Sequence, residues 1–287
     1  MKILLTGARG NLGSQLLSIF KSAGHEVIAT EREELDITDE AAVHKFVIEA
    51  RPDVIVNGAA YNFVDKIEDE AIYPIAYAIN ALGPKYLADA GLKIDALIVH
   101  YSTDYVFAGT QVDGYKEDDA TAPISKYGET KVAGEQFVIN SGANYLILRL
   151  SKIFGPAGTS AVAKPGFVDL MIQLAATKPE LKIVDEEVGM PSYTVDIAAE
   201  TLCLISSNTP SGIYHLVNPG PGVTWYQFAE EIFAIKPSPT PRIPVSASVF
   251  PRPAARPSYA MLLNTKLPPL RTRTAALTEY LNVANQS

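Results

Sequence analysis

Tyr127 and Lys131 stand four residues apart in ISKYGETKVAGE, residues 124–135, the only Tyr-x-x-x-Lys pair in the chain. On a helix that spacing stacks the two side chains on one face. A phenol beside an ammonium suits ketone reduction, which takes a hydride from a nicotinamide and a proton for the developing alkoxide. A phenol with a pKa of about 10 is a weak acid–base catalyst at neutral pH, and a neighbouring cation favours its ionised form. The spacing therefore predicts that Lys131 lowers the Tyr127 pKa and also holds the nicotinamide ribose. Thr103 follows the apolar run ALIVHYS (96–102), and its hydroxyl could orient the carbonyl oxygen. Taken alone, the Tyr/Lys pair equally fits an ordinary exposed helix, so the surrounding elements must decide.

The run KILLTG (2–7) leads into Gly7-Ala8-Arg9-Gly10-Asn11-Leu12-Gly13 and then a helical pattern. Between a strand and a helix, such glycines let the backbone turn tightly and approach a pyrophosphate, which the helix N-terminus attracts. The next apolar run ends in Thr30-Glu31-Arg32. Glu31 stands where an acidic residue would hold the adenosine ribose, a cue for NADH. Arg32, with Arg9 in the glycine loop, could instead embrace a 2′-phosphate, a cue for NADPH. The two cues conflict, and both cofactors remain open. As a solvated loop charge, Arg32 would be unremarkable.

Short apolar runs alternate with helical patterns through the first half. Strands are predicted at 2–7, 25–30, 53–60, 96–102 and 145–150, and helices at 11–24, 41–50, 75–91 and 124–141. This alternation implies βαβ units: an α/β, Rossmann-type doubly wound parallel sheet with a smaller C-terminal substrate-binding subdomain. Further helices are predicted at 167–177, 195–206 and 224–234, and one more strand at 212–218. Residues 1–155 are expected to bind the cofactor, with strand 212–218 returning to that sheet. Residues 156–287 are expected to be mainly substrate-binding. The proline-rich stretch 236–270 carries Val245, Val249, Phe250, Tyr259 and Leu262, and reads as extended loops packed over a site.

The formal charge of −8 argues against a nucleic-acid binder. A single cysteine excludes an internal disulfide and suits a reducing compartment. No apolar run is long enough to span a membrane, and Gly7 interrupts the N-terminal run too early for a signal peptide. A cytoplasmic, soluble protein is expected. Cys203 is expected to be buried in its helix. The four histidines lack ligand spacing, so no metal is expected. The cluster Asp65, Lys66, Glu68, Asp69 and Glu70 reads as a solvated helix start, and Trp225, Phe228 and Phe233 as core packing.

TGARGNLG, NGAAYNFVDKIEDE, NALGP, STDYVFAG and SKYGETKVAGE together resemble the extended short-chain dehydrogenase/reductase family, and within it the dTDP-4-dehydrorhamnose reductases. The resemblance continues through VDEEVGMPSYTVDIA, GIYHLVNPG and FPRPAARPSYAMLLNTKL, covering nearly the whole chain. It implies NAD(P)H-dependent reduction of a nucleotide-linked 4-keto-6-deoxy sugar, and often a homodimer. By resemblance, Thr103, Tyr127 and Lys131 form the catalytic triad. Gly7, Gly10, Asn11 and Leu12 would meet the pyrophosphate. Asp36 and Ile37 would flank the adenine. Ala59, Ala60 and Tyr61 would line the cofactor, with Asn80 a structural or cofactor-side polar group. Val64, Arg252 and Arg256 would face the sugar nucleotide. The chain departs from the family at Asn62, usually Thr, and at Lys152, usually Trp. Lys152 could pair with a phosphate or a sugar hydroxyl. Tyr105 stands where the related dehydratases carry a glutamate, which argues against elimination of water. Cys203 has no evident histidine partner for epimerisation. A reductase-like regulatory subunit is the remaining alternative, and the intact Thr103, Tyr127 and Lys131 count against it.

Overall fold

The computed structural model describes residues 1–160 and 165–283. Its centre is a six-stranded sheet in which every pair is parallel, in the order β2-β1-β3-β4-β5-β9. The strands are β1 (Lys2–Thr6), β2 (Glu26–Thr30), β3 (Val54–Asn57), β4 (Leu97–Thr103), β5 (Tyr145–Leu150) and β9 (Gly212–His215). Two short pairs lie outside it: β6 (Ile153–Phe154) with β8 (Ser192–Tyr193), and β7 (Leu181–Val184) with β10 (Arg242–Val245). The helices are α1 (Asn11–Ser22), α2 (Glu40–Ala50), α3 (Tyr73–Tyr77), α4 (Gly83–Leu92), α5 (Lys126–Asn140), α6 (Phe167–Thr177), α7 (Thr194–Ser206), α8 (Trp225–Ile235) and α9 (Arg273–Val283).

Alternation along the strands sorts their side chains to two covered faces. Ile3, Leu5, Val54 and Val56 pack with Leu16 and Phe20 of α1 and Ile197 of α7. Leu4, Ile55, Ile98 and Ile147 pack with Val43 and Val47 of α2, Leu87 of α4 and Val138 of α5. Helices on both faces explain why these strands read as nearly unbroken apolar runs. A third cluster lies beyond the sheet, where Phe154, Val168, Met171, Phe228, Ile232 and Tyr280 are buried together. No helix among the described residues is long and apolar enough to cross a membrane.

The chain leaves β1 for β2 on one side and returns to β3 on the other. The carboxyl ends of β1 and β3 therefore face a crevice, the place where open parallel sheets hold ligands.

Several expectations change. The helical stretch 75–91 is α3 and α4 joined by a π-type turn, Ala78–Leu82. Pro84 cannot donate to the carbonyl of Asn80, which suits that wider turn. The strand foreseen at 212–218 ends at His215, and Leu216 N–H adds one more bond to the Arg149 carbonyl. Cys203 is exposed rather than buried. Helix α7 turns Ile197, Ala198, Thr201, Leu204 and Ile205 inward, so Ala199, Cys203 and Ser206 fall on its outer face.

Candidate active site

Helix α5 is fixed before it carries any chemistry. Ser125 caps it by accepting from Gly128 N–H at 3.2 Å. Glu68 accepts from the next free donor, Lys126 N–H, at 3.0 Å. Glycines let the helix lie close to its neighbours: a Cβ on Gly128 would sit 2.3 Å from the Tyr105 carbonyl, and one on Gly134 2.3 Å from that of Asn80. Tyr127 and Lys131 then face the end of β4. With Thr103 they line one cavity of about 790 Å³.

The charges there differ from the sequence expectation. Lys131 donates to the Tyr101 carbonyl at 2.6 Å and lies 3.4 Å from His100 Nε2. Burial pushes its ammonium down to about 8, against the pull of the Glu135 carboxylate. Tyr127 is not lowered. Burial pushes its phenol up to about 12. Tyr127 therefore keeps its proton at neutral pH, the form that a reduction consumes. The Tyr105 ring meets it edge-on at 5.5 Å.

Asp104 escaped the sequence reading. Its buried carboxyl lies 2.9 Å from Thr103 Oγ1 and accepts from Ser151 Oγ at 2.6 Å. Beside them Ser102 is buried at the cavity wall, and its hydroxyl has no partner among the described residues.

The far end of the cavity suits a dinucleotide. Gly7 has φ +65°, and a Cβ there would lie 2.8 Å from Ala59 N, so the loop after β1 packs against the exit of β3. Gly10 caps α1 without any side-chain bond, which leaves first-turn N–H groups for an anion. Gly7, Gly10, Asn11 and Leu12 line this end, as do Glu31, Arg32, Asp36, Ile37, Ala59 and Ala60. These residues fit a pyrophosphate and an adenosine. Glu31 accepts from Arg9 N–H at 2.5 Å. The Arg9 guanidinium pairs with Glu34 at 3.2 Å and Arg32 with Asp36 at 3.1 Å. Hydrogen bonds from Thr38, more than Arg32, hold the Asp36 carboxyl below its usual range.

Other expected residues sit elsewhere. Arg9, Tyr61 and Asn80 are not in the cavity wall. Asn80 is a buried staple: it accepts from Tyr61 N–H at 2.8 Å and donates to the Tyr61 carbonyl and Thr130 Oγ1, both at 3.0 Å. Asn62 and Val64 do line the cavity. Lys152 lines it too, with φ +42°, but its ammonium is already engaged. It donates to the carbonyls of Glu187 at 2.5 Å and Val223 at 3.2 Å, and lies 4.2 Å from the Trp225 ring centroid. Burial pushes it down to about 8. Trp225 packs against the apolar cluster around Phe228, as expected, and also lines the cavity and donates to Glu187 at 3.1 Å. Arg252 and Arg256 line a neighbouring cavity of about 310 Å³, where Arg252 pairs with Glu187 and Arg256 with Asp65. The charged cluster does open a short helical turn, Lys66–Glu68, with Lys66, Asp69 and Glu70 exposed, but Asp65 also anchors the proline-rich segment and Glu68 anchors α5.

The profile of the family described as RmlD substrate binding domain matches residues 1–283. A dTDP-4-dehydrorhamnose reductase of Streptomyces griseus is 39% identical over 288 residues, covering 96% of this chain and 91% of that protein. The crystal structure of a dTDP-4-dehydrorhamnose reductase from Clostridium acetobutylicum superposes with a TM-score of 0.92 at 40% identity, covering 99% of this chain and 100% of that one. That of a dTDP-4-dehydrorhamnose reductase from Bacillus anthracis, in complex with NADP, superposes with a TM-score of 0.91 at 33% identity, covering 98% and 99%. With a match across nearly its whole length and the glycine loop, Thr103, Tyr127 and Lys131 gathered at one cavity, the chain belongs to the RmlD substrate binding domain family.

Proposed function

We propose that this protein is an NAD(P)H-dependent reductase that converts the 4-keto group of dTDP-4-dehydrorhamnose to the alcohol, giving dTDP-L-rhamnose. The observation that carries this reading is one cavity with the glycine loop at one end and Thr103, Tyr127 and Lys131 at the other. Bound there, NADH or NADPH supplies the hydride. The α1 N-terminus and the loop Gly7–Leu12 hold the pyrophosphate, and Glu31 the adenosine ribose. Thr103 positions the carbonyl oxygen, and Tyr127 gives it a proton as charge develops. Lys131 holds the nicotinamide ribose and stabilises the phenolate left behind. On this reading Asn62, Val64 and Trp225 shape the sugar end, and Arg252 and Arg256, in the neighbouring cavity, would meet the nucleotide end of the substrate.

The division into a cofactor unit, 1–155, and a mainly substrate-binding unit, 156–287, is supported by the separate apolar cluster around Phe228. Cytoplasmic action rests on the single cysteine and the nucleotide-linked substrate, and a homodimer on family resemblance. The test is cofactor oxidation with dTDP-4-dehydrorhamnose, beside a Tyr127→Phe variant. Turnover that falls at least about 10²-fold in the variant supports Tyr127 as the proton donor. A folded, cofactor-binding wild type that leaves the substrate untouched sinks the assignment.

A further inference from the structure

The hydrogen bonds around Asp104 have a direction. Ser151 Oγ accepts from Met190 N–H at 3.1 Å, so its own proton is free for Asp104 Oδ2, 2.6 Å away. The other oxygen, Oδ1, lies 2.9 Å from Thr103 Oγ1. A threonine hydroxyl has a single proton. Thr103 Oγ1 already accepts from Tyr105 N–H at 3.3 Å, so if Oδ1 is ionised and takes that proton, Thr103 offers the cavity one lone pair and no donor. If Oδ1 carries a proton, Thr103 accepts it and turns its own proton to the substrate oxygen. A carbonyl becoming an alkoxide needs donors.

We propose, resting on the reductase reading, that Asp104 is the positioning residue of Thr103: its carboxyl, anchored by Ser151, carries the proton that makes Thr103 a donor to the substrate oxygen. Relative to the ionised carboxylate, the carboxyl holds one more proton, and the hydrogen bond to Thr103 runs in the opposite sense. Charge around the group is sparse. Among the described residues Lys152, at the exit of β5, is the cation that acts on it and favours ionisation, while Tyr127 of α5 and its neighbour Tyr105 are neutral phenols. Burial raises the carboxyl above its usual range, against the hydrogen bonds of Ser151 and Thr103 and then the charge of Lys152, all of which favour ionisation.

Two readouts test this. The first needs no turnover: the infrared stretch of a protonated carboxyl, compared between wild type and Asp104→Asn at pH 7. A band present in the wild type and missing from the variant is expected, and its absence from the wild type overturns the proposal. The second is a cycle with Thr103→Ala. Asp104→Ala should lower kcat about 10²-fold with the cofactor KM unmoved, and Asp104→Asn, which can still donate to Thr103, less than about 10-fold. In the Thr103→Ala background neither change should matter further. Equal losses in both backgrounds would make Asp104 a merely structural group. Wild-type turnover is scored separately: its absence strikes the reductase reading, while the infrared band still decides the state of Asp104.

Discussion

Arg149 offers a stability test whose size follows from its surroundings. It lies on β5, just ahead of Ser151, and its guanidinium forks onto Glu135 of α5 at 2.9 and 2.7 Å. A third bond reaches the Glu117 carbonyl at 3.2 Å, and the group lies 5.0 Å from the Phe107 ring centroid. Side-chain exposures of 2% and 1% leave the pair no solvent. Arg149→Met would strand the Glu135 carboxylate, which costs about 3–5 kcal/mol. In a chain of this size each kcal/mol moves Tm by about 2–4 °C, so a fall of about 6–20 °C is expected. Arg149→Met combined with Glu135→Leu removes both charges and should recover most of that loss. Thermal unfolding followed by circular dichroism measures all three proteins. A single variant within about 1 kcal/mol of wild type, or a double variant less stable than the single, would refute the reasoning.

The Lys131 ammonium is present below its pKa of about 8 and lost above it, so kcat/KM should fall as pH rises through that value. Glu135 holds that pKa up, so Glu135→Gln should move the limb to lower pH, and a limb that stays in place contradicts the assignment. Glu31→Gln removes the carboxylate from the adenosine end. It should shift the NADPH/NADH ratio of kcat/KM about 10-fold toward NADPH, as read by initial rates with each cofactor. Gly128→Ala drives a Cβ toward the Tyr105 carbonyl and displaces Tyr127. kcat should fall about 10²-fold, and an unchanged kcat would show that α5 tolerates the shift.

The sheet was legible because its strands are covered on both faces and announce themselves as apolar runs; β5 matches its predicted range, 145–150, and α6 its range, 167–177. The glycine loop and the Tyr/Lys pair were legible because their partners lie within a few residues. Asp104 and Ser151 were not, since the bond between them joins positions 47 residues apart. The same holds for the ion pairs of Arg252 with Glu187 and Arg256 with Asp65 at a second cavity. Lys152 stands out in the sequence as a departure from the family, yet its engagement depends on carbonyls from two distant loops. Tyr127 reverses its expected shift because it is buried, which the sequence does not show. Cys203 misled because its apolar neighbours lie on the other faces of the same helix.

The most direct test follows the hydride. Wild type supplied with NADH or NADPH deuterated at the transferable C4 position, and with dTDP-4-dehydrorhamnose, should place one deuterium at C4 of the sugar product, as read by NMR. Cofactor should be consumed in equal amount. Product without deuterium, or cofactor that stays bound and is never consumed, would contradict the account.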